Sequence, residues 1–124
     1  MQKLAFEQAW DKTIADQDRL EIQRVFSEMN HENKKGQDAF LLKTAFNHKL
    51  QFLVTVLVNN YSNESFSLLN QKAVYVESGK VIAKLESEYT LEIPSQTSMP
   101  WTFIFSEDQL EQDPSGYSGE LKFI

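Results

Sequence analysis

Residues 50–60 read LQFLVTVLVNN and residues 100–105 read PWTFIF. In the first stretch Leu50, Phe52, Val54, Val56 and Val58 fall on one face of an extended chain, because strand side chains alternate with period two. Gln51, Thr55 and Asn59 share the other face with Leu53 and Leu57. The pattern predicts a central strand with one fully buried face. In the second stretch Trp101, Phe103 and Phe105 alternate with Thr102 and Ile104, so three aromatic rings project to one side. Burying those rings contributes on the order of 10 kcal/mol gross, before chain entropy is subtracted. They are expected in the middle of the core, against Val54 and Val56.

Working outward, the period of two holds from Ala39 to the end of the chain. NNYSNES (59–65) is a turn by composition, and short strands are expected around Phe66–Leu69 and Ala73–Glu77. Ser78 and Gly79 separate VYVE from KVIAKLE and predict a tight hairpin, with Gly79 at positive φ. EYTLEI, closed by Pro94, precedes a polar loop, SQTSM, and the aromatic strand. An acidic loop, EDQLEQDPSGYSG, leads to a closing segment, ELKFI. On the N-terminal side the period changes: Ile22, Val25, Phe26 and Met29 stand at i, i+3, i+4 and i+7, which predicts a helix over about residues 14–30. Thr13 or Asp16 would cap it, and NHENKKG would stop it. One helix followed by about seven short strands predicts a mainly β domain. The expected form is an antiparallel β-sandwich, immunoglobulin/fibronectin-like, over about residues 39–124 with an N-terminal α-helix. A parallel α/β sheet is excluded, because no helical crossovers stand between the strands. Residues 1–124 are read as a single domain.

Composition narrows the chemistry. The 124 residues contain no cysteine, so thiolate metal sites, disulfides and a Cys nucleophile are out. Residues 1–60 hold eight Lys/Arg and eight Asp/Glu, and residues 61–124 hold four and ten, so the net charge of −6 lies entirely in the second half. A chain with this balance and no basic stripe would be repelled by phosphate, so no nucleic-acid ligand is expected and anionic membrane surfaces are disfavoured. The longest apolar run, Phe52–Val58, is too short to span a bilayer, and the opening MQKLAFEQAWD carries no secretory pattern, so no membrane insertion is expected and the expected address is cytoplasmic.

The remaining polar motifs are weak ones. His31-Glu32 opens like a zincin helix, but the second ligand position is Lys35, so His31 is expected near a helix C-terminus and His48 in a hairpin turn. Gly116-Tyr117-Ser118-Gly119 lacks the spacing of a nucleophile elbow, and four glycines form no phosphate loop. Carboxylates are in surplus: Glu86 and Glu88 share a strand face, and Glu107, Asp108, Glu111 and Asp113 form a second group. That group lacks the spacing of a calcium loop, and a solvated acidic face is the simpler reading.

Three segments together, QKLAFEQAWDKTI, LQFLVTVLVNN and IPSQTSMPWTFIF, resemble the SLAP domain of Bacillus-group bacteria, named for S-layer assembly proteins. The most specific part is Pro100, Trp101, Phe103 and Phe105, with Leu4, Phe6, Trp10 and Asp11 adding to it. Ser106 stands where the family often has a proline. The resemblance implies an accessory domain connected with S-layer assembly or export through the accessory Sec route, and it carries no catalytic residues over. The expected function is therefore non-catalytic protein interaction, without a cofactor, at a sheet edge or at an exposed aromatic patch rimmed by acids. The candidate interface is Tyr75, Tyr89, Glu107, Asp108, Glu111 and Asp113, with some of Tyr61, Phe66, Tyr75, Tyr89 and Tyr117 expected to be exposed; a homo-oligomer could form through a sheet edge. The alternative is a small-ligand or cation-binding sandwich that uses the acidic C-terminal loop.

Overall fold

The computed structural model describes residues 1–124. Strands hold 43% of the residues and helices 18%, so the domain is mainly β with an N-terminal helical segment. The predicted central strand is β3 (Phe52–Asn60), paired antiparallel on one side with β2 (Gln37–Phe46) and on the other with β8 (Thr97–Phe105). Its register sets Phe52 opposite Phe105, Val54 opposite Phe103 and Val56 opposite Trp101. A short β1 (Lys3–Leu4) extends this sheet by pairing in parallel with β8 at Thr97 and Ser98. A second sheet has the order β6 (Lys80–Glu86), β5 (Lys72–Glu77), β9 (Gly119–Phe123), and β4 (Phe66–Ser67) pairs with β7 (Glu92–Ile93) in a third. The sheets are curled and mixed. The ladders establish the mainly β class and not an immunoglobulin/fibronectin-like sandwich, and the parallel pair lies in the segment that alternates too loosely to be read from sequence.

One core joins the sheets. Phe52, Val54, Val56, Val58, Phe103 and Phe105 of the first meet Ala73, Tyr75, Ile82, Ala83 and Leu121 of the second, with Leu68 and Ile93 closing one end. Phe52 meets the edge of Tyr75 at 5.1 Å between centroids. Trp101 departs from expectation: it is only partly buried, at the rim, where it stacks on Trp10 (6.3 Å). Leu50 also departs, because it sits exposed at φ +61° in the turn before β3. That turn holds His48, as predicted.

Pro100 lies within β8 without cost to the ladder. The amide of Ile104 points away from β3 to the Tyr89 hydroxyl, and alternation gives Pro100 the same outward orientation, so its missing N–H interrupts no bond. Strand β8 therefore begins at Thr97, inside what reads as a polar loop.

The predicted helix forms over Asp16–Glu28 and is preceded by a shorter one that sequence reading did not assign. α1 (Gln8–Thr13) is capped by Glu7, whose carboxylate accepts from the amides of Ala9 (2.8 Å) and Trp10 (3.1 Å). α2 (Asp16–Glu28) follows the extended residues Ile14 and Ala15, and its N-cap, Ala15, makes no side-chain bond. The expected Thr13/Asp16 cap does not form, because Thr13 ends α1 and its hydroxyl donates back to Ala9 O (2.9 Å). Of the stripe, Ile22 is buried and Val25, Phe26 and Met29 are partly so. His31 stands at the C-terminal end of α2 as predicted, its Nε2 3.1 Å from Phe26 O and its Nδ1 3.0 Å from Tyr61 Oη.

Candidate functional site

The structure separates the residues expected at the interface. Tyr75 is fully buried, contrary to its reading as an exposed aromatic, because β5 is the middle strand of its sheet and turns this ring into the core. Its hydroxyl donates to Glu77 Oε2 (2.7 Å), and burial together with that bond pushes the phenol's pKa well above the ordinary range. Glu77 is itself buried and also accepts from Ser115 N (2.8 Å), Ser115 Oγ (3.0 Å) and Gly116 N (3.0 Å). Burial alone would raise its pKa, but these donors outweigh burial and the net shift is downward. The pair pins the last loop to the sheet. A Cβ on Gly119 would lie 2.2 Å from Tyr75 Oη, so only glycine lets the hydroxyl pass.

Tyr61 is also buried rather than exposed, with a pKa pushed up to about 12 by burial and by the charge of Asp38. Phe66 is partly buried, and Tyr117 is exposed as expected.

The acidic loop divides. Glu107 and Asp108 lie in a 3-10 turn (Glu107–Gln109) capped by Ser106, while Glu111 runs along the outer edge of β6, its amide donating to Ile82 O (2.7 Å) and its carboxylate 3.2 Å from Lys84 Nζ. Asp113 is exposed beyond it. No group of three or more His, Asp or Glu side chains converges as metal ligands would, and the loop is a strap over a strand edge.

What does come together surrounds Tyr89. This residue is half-buried, its ring set edge-to-face against Trp101 (5.4 Å) and Phe103 (5.7 Å), and its hydroxyl accepts the Ile104 amide (3.1 Å). Burial raises the phenol's pKa, against the lowering effect of that amide. Two cavities flank the ring. One, of about 360 Å³, is lined by Glu7, Glu88, Tyr89, Thr90, Leu91 and Trp101. The other, of about 140 Å³, is lined by residues 85–89, Ile104 and Gln109, and so adjoins the Glu107–Gln109 turn. Neither contains a lysine or arginine. Glu86 and Glu88 both line the second cavity, although the strand face expected of them does not extend that far, because β6 ends at Glu86 and Glu88 lies in the loop beyond it. Glu7 and Ile104 are among the members that sequence reading missed. Glu7 arrives through the cap of an unrecognised helix, and Ile104 through a strand whose outer face gives no sign of being left open.

Elsewhere the structure has two larger grooves. One, of about 930 Å³, lies between the C-terminal half of α2 and strands β2 and β9, and one of about 650 Å³ runs beneath α1 and α2 over Thr55 and Thr102. Both mix cations with anions: Arg24, Lys34 and Lys122 face Glu28, Asp38 and Glu120 in the first, and Arg24 and Lys43 face Asp18 and Glu21 in the second. No helix is long and apolar enough to cross a membrane.

No curated protein and no solved structure matches the chain. The family model of the SLAP domain matches residues 4–119, from β1 into the start of β9, and so takes in every element that builds the Tyr89 face. With nearly its whole length covered, the chain belongs to the SLAP domain family.

Proposed function

We propose that this domain is a non-catalytic interaction module of a cell-surface or S-layer assembly and export system, which binds a protein partner through the face around Tyr89. Family membership supports the surface association. The observation that carries the location is the pair of adjoining cavities around one half-buried tyrosine, with apolar walls from Leu91, Trp101 and Ile104 and carboxylates at their lips. A half-buried aromatic with a polar rim is the anatomy of an interface centre. Tyr75 has no part in it.

Photocrosslinking in the native cell tests the location. A benzophenone side chain at Thr90, an exposed residue lining the larger cavity, is expected to trap one defined protein adduct. The same group at Lys49, in the β2–β3 turn, is expected to trap none. Equal adducts at both positions, or none at Thr90, would overturn the assignment.

A further inference from the structure

We infer that the Tyr89 face receives a lysine or arginine side chain from an extended basic segment of the partner, seated against the Tyr89 and Trp101 rings between the carboxylates of Glu7 and Glu88. The inference rests on the reading of the Tyr89 face as the interface and adds the chemistry of its occupant.

Charge is the first argument. Elsewhere Asp11, Glu21, Glu28, Glu111 and Glu120 each stand within 4 Å of an Arg or Lys. Glu7, Glu86, Glu88, Glu107 and Asp108 form no ion pair within the chain. The carboxylates around Tyr89 are thus among those the protein leaves without counter-charge, and the two cavities between them hold no cation. The two large grooves, by contrast, neutralise their own acids. An anionic or neutral occupant would leave this surplus uncompensated, whereas a cation is drawn in and oriented.

Shape is the second argument. The Tyr89 and Trp101 planes meet at 76°, with centroids 5.4 Å apart, and both residues line the 360 Å³ cavity. Two aromatic rings set at a right angle make a corner, and a cation over a ring face is attracted by the ring quadrupole. The stem of a lysine or arginine packs on apolar surface such as Leu91 while its head stays at the carboxylates. One Glu7 oxygen already caps α1, which fixes that carboxylate in place and leaves its second oxygen for the incoming head.

The experiment uses the intact domain and fluorescein-labelled hexalysine, hexaglutamate and a Gly/Ser hexapeptide, followed by anisotropy at low and at physiological salt. Hexalysine should bind and the other two should not. The double variant Glu86→Gln/Glu88→Gln, at exposed positions whose side chains make no hydrogen bond, should weaken hexalysine at least five-fold. Glu111→Gln/Asp113→Gln removes the same charge elsewhere and should leave the affinity unchanged. Tyr89→Phe, which keeps the ring, should retain binding, and Tyr89→Leu, checked for an unchanged melting temperature, should lose it. Equal weakening by both double variants would reduce the effect to overall charge and overturn the inference, as would no binding of hexalysine. If the Thr90 crosslink persists in Glu86→Gln/Glu88→Gln, the face is an interface but its occupant is not basic. If the crosslink is absent from the parent protein, the interface itself is misplaced.

Discussion

Strand β3 serves two faces, and they are held by different physics. Toward the second sheet, Phe52, Val54, Val56 and Val58 meet Phe103 and Phe105 in a cluster of buried hydrophobic side chains that also takes in the Tyr75 ring. Toward α2 the same strand presents Leu53, Thr55, Leu57 and Asn59, three of them buried. Here direction matters: Thr55 Oγ1 lies 2.8 Å from Thr102 Oγ1, and Asn59 accepts from Ser98 Oγ (2.6 Å) and donates to Asp38 (2.8 Å). The helix laid over this face buries one residue fully, Ile22. The inner face is therefore sensitive to volume, and the outer face to which hydrogen bonds survive.

Substitutions on the two sides test that contrast. Phe103→Ala, which empties the middle of the inner face, should cost about 3–5 kcal/mol in chemical denaturation, the largest effect and enough to unfold a marginal domain. On the outer face Asn59→Leu conserves approximate volume yet strands Asp38 and Ser98, so a loss of about 2–3 kcal/mol is expected. A neutral result would show that this face is held by packing after all. Ile22→Ala should cost about 2 kcal/mol if the helix is docked cooperatively. If it lies on the sheet as a separate layer, amide exchange should instead show α2 losing protection while β3 keeps it. The second sheet offers a pH test. Glu77 has a folded pKa below its unfolded value, so its contribution to stability is present above about pH 4.5 and is lost as pH falls through the folded pKa. Glu77→Gln should flatten that acid limb of a melting-temperature profile, and an unchanged slope would mean that the clamp on Ser115 and Gly116 contributes nothing. Smallest of all, Thr55→Val should shift stability by about 1 kcal/mol or less, because the Thr55–Thr102 hydroxyl pair lies beside a solvent-open groove from which water can reach the hydroxyl left behind.

The inner face was legible because every second position from Phe52 to Val58 carries a large apolar residue, while the intervening positions mix Leu53 and Leu57 with Thr55. Strand β8 was legible for the same reason from Trp101 onward and illegible before it, since Thr97 and Ser98 are buried by hydrogen bonds rather than by hydrophobicity. Asn60 shows the limit most clearly. It reads as a turn residue, yet it is fully buried, with Nδ2 donating to Glu64 O, Ile93 O and Pro94 O and Oδ1 accepting from Gln37 and Ser62. Ser62 and Glu64 are local partners of the kind a turn asparagine has, but Gln37, Ile93 and Pro94 are distant in sequence and no local pattern marks them. The candidate site was legible in part: Tyr89 and the Glu107/Asp108 turn belong to the acidic aromatic face that was sought, whereas Glu86 and Glu88 were read only as carboxylates sharing a strand face. Tyr75 could not be told from Tyr89 by composition, because what separates them is a middle strand on one side and a strand-edge loop on the other.

The pairing of Lys3 with Thr97 and of Leu4 with Ser98 joins positions more than ninety residues apart in sequence. A ribosome adding about 5–20 residues per second needs roughly 5–20 s to make the distance between them. Throughout that interval β3 has β2 for a neighbour but not β8, and the ring of Phe52 has neither Phe105 nor a finished floor. The nascent domain thus carries its most apolar strand half-covered until β8 has been made, and over the same interval β1 has no strand to pair with.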